Sequence, residues 1–266
     1  MEQNRNILTI SGVTKTFDGV RALDDVSFAV RAGEIKALIG PNGAGKTTLL
    51  NAVSGLNPPT KGSILFEDRN VVGSRTDQIA SLGMSRTFQL IRLFTINNAT
   101  VLDNVLLGAH MHLKPTLLGT IFLRKRIKKQ EKEATQKAMD LLKLVGLEKE
   151  ASAMPAALSF GNQRLLELAR ALMTGPKLLL LDEPASGLND TEVEEFIKLL
   201  MMIKQQGITV LIVEHNMKLV MNIADDIIVL DFGKKLAEGS PSAICANPQV
   251  IEAYLGAQDK ECGVTQ

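Results

Sequence analysis

The chain has 266 residues, and its 45% hydrophobic content lets one large domain, or a domain with an inserted lobe, bury a core without staples. A net charge of +1, 4% aromatics and no Trp give neither the cationic excess that tracks nucleic-acid phosphates nor a platform for stacked bases. Cys245 and Cys262 lack metal-ligand spacing and fit a reducing cytosol, while a polar N-terminus and no apolar run approaching the ~18 residues of a bilayer span make the chain read as soluble.

In chain order, Ile7 to Val30 reads as strand-rich, with Val20, Ala22, Val26, Phe28 and Val30 near a period of two and Asp18-Gly19 as a turn. Ile35 to Ile39 is a short apolar run, a buried strand that ends in GPNGAGKTTLL. Leu49, Leu50 and Val53 then continue at helical spacing. From Thr76 to Gly175 the pattern is mostly helical, with segments around Leu102 to His112, Arg124 to Leu144 and Leu158 to Met173. This stretch is read as an inserted helical lobe, residues 76–175. Its run RKRIKKQEKE interleaves acids at helical spacing and reads as a solvated helix face, not a nucleic-acid patch. Leu178 to Leu181 and Thr209 to Val213 are buried strands separated by a helix over Glu192 to Gln205, an alternation that suits a largely parallel sheet. Ile227 to Leu230 and Lys235 to Ala237 flank Asp231-Phe232-Gly233-Lys234 as a hairpin, and Pro248 to Leu255 reads as a closing helix.

Two motifs carry chemistry. Gly40-Pro41-Asn42-Gly43-Ala44-Gly45-Lys46-Thr47 matches GxxxxGK[ST] between a strand and a helix, so its glycines can turn successive N–H groups onto phosphates beside the positive end of a helix dipole. In that layout Lys46 reaches the β- and γ-phosphates of ATP and Thr47 ligates Mg²⁺. Leu178-Leu179-Leu180-Leu181-Asp182-Glu183-Pro184 puts two acids at the end of a buried strand, where parallel α/β sheets collect ligands. Asp182 would hold Mg²⁺ and Glu183 would polarise the attacking water. Ser159 opens the amphipathic helix that begins LSFGNQR, as an N-cap or as an anion-binding hydroxyl.

Phosphate loop, Ser-x-Gly helix start and LLLLDEP in that order resemble the ATP-binding cassette (ABC) family, the nucleotide-binding subunits of ABC transporters, over essentially the whole chain. The resemblance implies an α/β fold: a P-loop NTPase core with a mostly parallel sheet, an N-terminal antiparallel β region and the inserted helical lobe. Residues 1–75 and 176–266 would form the core of a single ATPase domain. It implies nucleotide contacts from the loop together with Thr48, adenine stacking on Phe17, and Gln89 of SRTFQL reaching Mg²⁺ or water while joining core to lobe. It also implies His215 of VLIVEHN at the γ-phosphate, and Ser159 with Gly161 docking on the nucleotide of an opposing cassette. Phe17 could instead be core and Phe28 is the alternative reading of the same segment, although its place in the alternating strand favours the core. Phe160 and Asn162 depart from the family's Leu-Ser-Gly-Gly-Gln, and Asn189, in the Ser186-Gly187-Leu188-Asn189 loop, stands where Asp is usual.

Within the family, SRTFQLIRLFTINNATVLDNVLLGAH, PASGLN and VIEAYLG look most like the ATPases of branched-chain amino-acid importers, with urea, amide and lipopolysaccharide systems close by. The implied partners are a second cassette, identical or paralogous, two membrane permease subunits and, indirectly, a solute-binding protein, with no nucleic acid. The implied location is cytoplasmic, peripheral on the inner face of the membrane. A short permease helix would dock beside Gln89 and Leu90 to Val101, against Ile91, Leu93, Phe94 and Ile96. A repair or translation ATPase would carry coiled-coil insertions, tandem cassettes or basic arms, and a small-molecule P-loop kinase leaves Ser159-Phe160-Gly161 and Glu183 without a role.

Overall fold

A computed structural model describes residues 5–88, 93–109 and 123–255. Gln89, Ile91 and Cys262 lie outside the described residues. Two compact units are present, one formed by Met1–Arg86 with Lys177–Gln266 and the other by Thr87–Pro176.

The first unit holds two sheets. Strands β1 (Asn6–Phe17) and β2 (Val20–Arg31) pair antiparallel, and the buried Leu23, Val26, Phe28 and Val30 supply the inward face. Strands β4 (Lys61–Phe66) and β5 (Arg69–Asn70) extend this sheet in the order β2-β1-β4-β5. The six-stranded sheet has β3 (Ile35–Ile39), β7 (Leu178–Asp182) and β8 (Thr209–Val213) as its central strands and β6 (Met84–Arg86), β9 (Asp226–Asp231) and β10 (Lys234–Gly239) as its outer ones. It runs β10-β9-β3-β8-β7-β6 and is parallel except at its β10 edge. The central strands are buried at every position, as strands covered on both faces must be. Lys36 is the exception in chemistry. Its ammonium lies within 2.8 Å of both Asp226 and Glu238, the pairing that makes a buried charge tolerable.

Helix α1 (Lys46–Val53) follows β3, and α2 (Thr76–Ser81) leads into β6 (Met84–Arg86). β6 lies inside the stretch read as helical but pairs parallel with β7. Helix α6 (Asp190–Gln205) crosses between β7 and β8, and α7 (Met217–Ile223) leads to β9 (Asp226–Asp231). β9 and β10 (Lys234–Gly239) meet at a two-residue Phe232-Gly233 loop with φ of 42° and 77°, the left-handed pair that a tight hairpin uses. Short helical turns, Pro241–Cys245 and Pro248–Val250, close the described chain, the second passing into a single π-turn at Ile251–Leu255 in place of a regular closing helix.

The second unit is helical, built on α3 (Val101–Leu107), α4 (Leu123–Leu144) and α5 (Phe160–Met173). Val101, Val105, Ala138, Leu142, Leu166 and Leu172 form its interior. Residues 128–133 of the mixed-charge run are exposed, as a solvated helix face requires. Among the described residues no helix is long and apolar enough to cross a membrane.

Candidate functional site

The phosphate loop leaves β3 at Gly40, whose φ is 147°. A methyl group there would lie 2.1 Å from the Leu230 carbonyl oxygen, so glycine is required both by conformation and by space. Gly45, at φ 100°, is the residue before α1, and a methyl group on it would meet the Ala22 carbonyl at 2.6 Å. The hairpin tip braces the same turn, since the Gly233 N–H donates to the Ala44 carbonyl at 3.1 Å. Pro41, Asn42 and Gly43 form the outward part of the loop, and Thr47 and Thr48 open the helix.

Lys46 is buried, and its ammonium donates to the carbonyls of Gly40 (2.7 Å) and Pro41 (3.0 Å). Desolvation pushes its pKa down, and the charges of Glu183 and Asp182 push it back up. A lysine held against its own loop by two carbonyls is poised to exchange them for phosphate oxygens.

Asp182 ends β7 and is 2% exposed. One carboxylate oxygen accepts from Arg86 at 2.9 Å, whereas the other, Oδ1, is buried with no hydrogen-bond partner. An orphaned buried carboxylate oxygen is costly unless a cation or an ordered water meets it, so the donor set fits Mg²⁺. Among the described residues no group of three or more His, Cys, Asp or Glu could hold a metal alone. Asp182 would supply one carboxylate and Thr47, at the start of α1, would supply a hydroxyl, a hard oxygen set of the kind Mg²⁺ takes together with phosphate and water.

Glu183 turns the chain away from the sheet at φ 48°, a left-handed conformation uncommon for any residue but glycine, and its N–H donates to the Val213 carbonyl at 2.9 Å. His215, exposed just beyond β8, has Nδ1 4.0 Å from Glu183 Oε2, beyond hydrogen-bond reach but close enough to act on one small group. The loop, both acids and His215 thus all lie at the carboxyl ends of neighbouring parallel strands, where ligands of such sheets bind.

Two further residues shape this site and escaped the sequence reading. Glu214 is fully buried. Its Oε1 accepts from the Ala185 N–H (2.7 Å) and its Oε2 from the N–H groups of His215 (3.1 Å) and Asn216 (3.3 Å), so one carboxylate ties the chain after Glu183 to the chain carrying His215. Burial pushes its carboxyl up and these donors pull it back. Arg86, at the end of β6, holds Asp182. The only signals for them in sequence are an acid after an apolar strand and a cation before the FQL segment.

Elsewhere in the first unit Phe17 ends β1 and is partly exposed, with the Lys15 ammonium 5.0 Å from its ring, while Phe28 is core. Asn189 is the N-cap of α6 in a capping box with Glu192, accepting from its N–H at 3.0 Å. Asn and Asp serve that position about equally well. In the second unit Ser159 is an N-cap, its hydroxyl accepting from the Asn162 N–H at 3.3 Å. Gly161 is buried, and Phe160 is exposed with the Arg164 guanidinium 5.3 Å from its ring.

Residues 23–186 match the family model described as ABC transporter, and residues 234–260 match that of the branched-chain amino acid ATP-binding cassette transporter. The high-affinity branched-chain amino acid transport ATP-binding protein BraF of Pseudomonas aeruginosa is 41% identical over 254 residues, covering 95% of this chain and 99% of that protein. LivG of Escherichia coli, described in the same terms, is 41% identical over 251 residues, 94% of this chain and 98% of its own. Among solved structures, a nucleotide-free ATP-binding cassette from an ABC transporter superposes with a TM-score of 0.80 at 32% identity, covering 95% of this chain and 100% of that one. A dimeric bacterial ABC transporter cassette gives 0.75 at 27% identity, covering 88% and 98%.

Proposed function

The chain belongs to the ABC transporter family of ATPases, and from that premise we propose that it powers an importer of branched-chain amino acids. The observation that carries the catalytic part is the meeting of Lys46, Asp182, Glu183 and His215 at the carboxyl ends of the neighbouring parallel strands β3, β7 and β8. The solute is inferred from the match of residues 234–260 and from what BraF and LivG are described as transporting.

In this reading Gly40 to Thr48 wrap the phosphates of ATP, with Lys46 transferring its hydrogen bonds from Gly40 and Pro41 to them. Thr47 and Asp182 would hold Mg²⁺, the family resemblance assigns Gln89 to the same ion, and the bound ion would neutralise phosphate charge as it develops. Glu183 orients and takes the proton of the attacking water, and His215 contacts the γ-phosphate. Phe17 stacks on adenine. Ser159 and Gly161 serve the nucleotide of a second cassette, identical or paralogous, so that closing two cassettes around two nucleotides assembles both sites. The helical unit, Thr87–Pro176 rather than the 76–175 read from the sequence, would carry this motion to two membrane permeases, and a solute-binding protein delivers the amino acid outside. The protein would therefore sit on the cytoplasmic face of the membrane.

Uptake of radiolabelled leucine in cells lacking the gene tests this. Wild-type protein should restore uptake and Glu183→Gln should not. Unchanged uptake without the gene, with loss of urea or amide uptake instead, would overturn the solute assignment.

A further inference from the structure

We infer that Arg86 is a positioning residue for the metal-binding carboxylate, clamping Asp182 so that its other oxygen is presented to Mg²⁺ and fixing it to the helix that begins with the phosphate loop. The inference rests on the reading of Asp182 as a metal ligand.

The guanidinium of Arg86 is buried and used at both ends. Nη2 donates to Asp182 Oδ2 at 2.9 Å, and Nη1 donates to Asn51 Oδ1 and Ser54 Oγ, each at 2.8 Å. Asn51 is in α1 and Ser54 is the residue that caps its end, with its own hydroxyl bonded to the Leu50 carbonyl at 2.8 Å. The planar fork thus bridges two rigid elements, β7 and α1, from a third, β6, whose Arg86 pairs with Leu180. Because Thr47 opens α1 and Asp182 ends β7, the two groups read as metal ligands are held in register through one side chain.

The geometry also explains which oxygen is left. Oδ2 is engaged by Arg86, and Oδ1 has no partner although it is buried. The two oxygens of a carboxylate are equivalent, so with Arg86 holding one of them the other is always the one presented away from the ion pair. A lysine would keep the charge but not the span, because one ammonium on a thinner stem cannot reach Asp182, Asn51 and Ser54 in a plane. Outer partners that orient a metal ligand in this way usually matter to metal affinity about as much as a weak ligand does.

The test is the binding of a fluorescent ATP analogue to the full chain, measured with Mg²⁺ and with EDTA, the ratio of the two dissociation constants giving the gain due to the metal. Arg86→Lys should leave the EDTA value within about threefold of wild type while the metal-dependent gain falls by roughly tenfold or more, the range typical of such partners. An unchanged gain in the folded variant, or an equal loss with and without Mg²⁺, would overturn the inference and make Arg86 structural. If Arg86→Lys fails to fold, Asn51→Ala and Ser54→Ala remove the two α1 acceptors of Nη1 and leave the ion pair, and the same split decides. Asp182→Asn is measured alongside. If it too leaves the gain intact, the reading of Asp182 as a metal ligand fails, whereas a gain lost in Asp182→Asn and kept in Arg86→Lys sinks the positioning role alone.

Discussion

Glu214→Gln keeps the shape of a fully buried side chain and changes only which of its two heteroatoms can accept. The carboxylate accepts one N–H on Oε1 and two on Oε2, so a glutamine must turn its NH₂ toward either the Ala185 N–H or the pair from His215 and Asn216. At least one buried backbone donor then faces another donor, a loss of about 1–3 kcal/mol. Part of this is offset, because a neutral amide costs less to bury than a carboxylate whose pKa burial already pushes up. A net loss of ~1–2 kcal/mol lowers the melting temperature on the order of 2–8 °C for a domain of this size. The freed chain carries His215 on one side and adjoins Glu183 on the other, so turnover should fall roughly tenfold or more. Affinity for ATP should hold, because Lys46 and the phosphate loop keep their own supports. Scanning calorimetry and steady-state hydrolysis on the same preparation check both. An unchanged melting temperature with unchanged turnover would refute the argument that this carboxylate holds the two catalytic segments together.

Glu183→Gln should bind ATP normally and hydrolyse it several orders of magnitude more slowly, trapping a closed dimer that size-exclusion chromatography detects. Lys46→Ala should instead weaken binding of a fluorescent ATP analogue, since it removes the one buried cation of the phosphate loop. Ser159→Arg and Lys46→Ala proteins, each inactive alone, should regain part of their hydrolysis on mixing if the cassette pairs with itself, and no gain would mean independent sites or a paralogous partner. Phe94→Asp should leave stability within about 0.5 kcal/mol, because that residue is 50% exposed, yet uncouple hydrolysis from uptake if a permease helix docks there. Normal uptake by that variant would remove Phe94 from the docking surface.

The residues legible in the sequence are those whose chemistry shows in local pattern. Gly40 to Thr47 announce themselves because the required positive φ values and close backbone approaches admit little besides glycine, and Asp182-Glu183 because acids end an apolar run. The helix start at Ser159 is legible for the same local reason, a capping side chain three residues before the donor it serves, whereas α6, read from Glu192, begins two residues earlier behind the Asn189 cap. Strand β6 was not, since three residues inside a helical stretch carry no period and owe their extended form to pairing with β7. Arg86 and Glu214 failed to stand out for a related reason. Each acts on groups that are distant in sequence, Arg86 on Asp182 ninety-six positions away and Glu214 on Ala185 twenty-nine away, and only the parallel strand order β8-β7-β6 brings them together. Asn104 repeats the lesson in the helical unit. Wholly buried, it accepts from the Phe94 N–H at 2.8 Å and donates to the Phe94 carbonyl at 2.9 Å, so an amide in the Val101–Leu107 helix fixes the backbone of an exposed aromatic that sequence alone left between core and surface. A buried polar side chain is retained only where its partners repay desolvation, which makes such residues pointers to segments whose exact placement the fold must hold. Here they hold the carboxylate of Asp182, the chain around Glu183 and His215, and the backbone at Phe94.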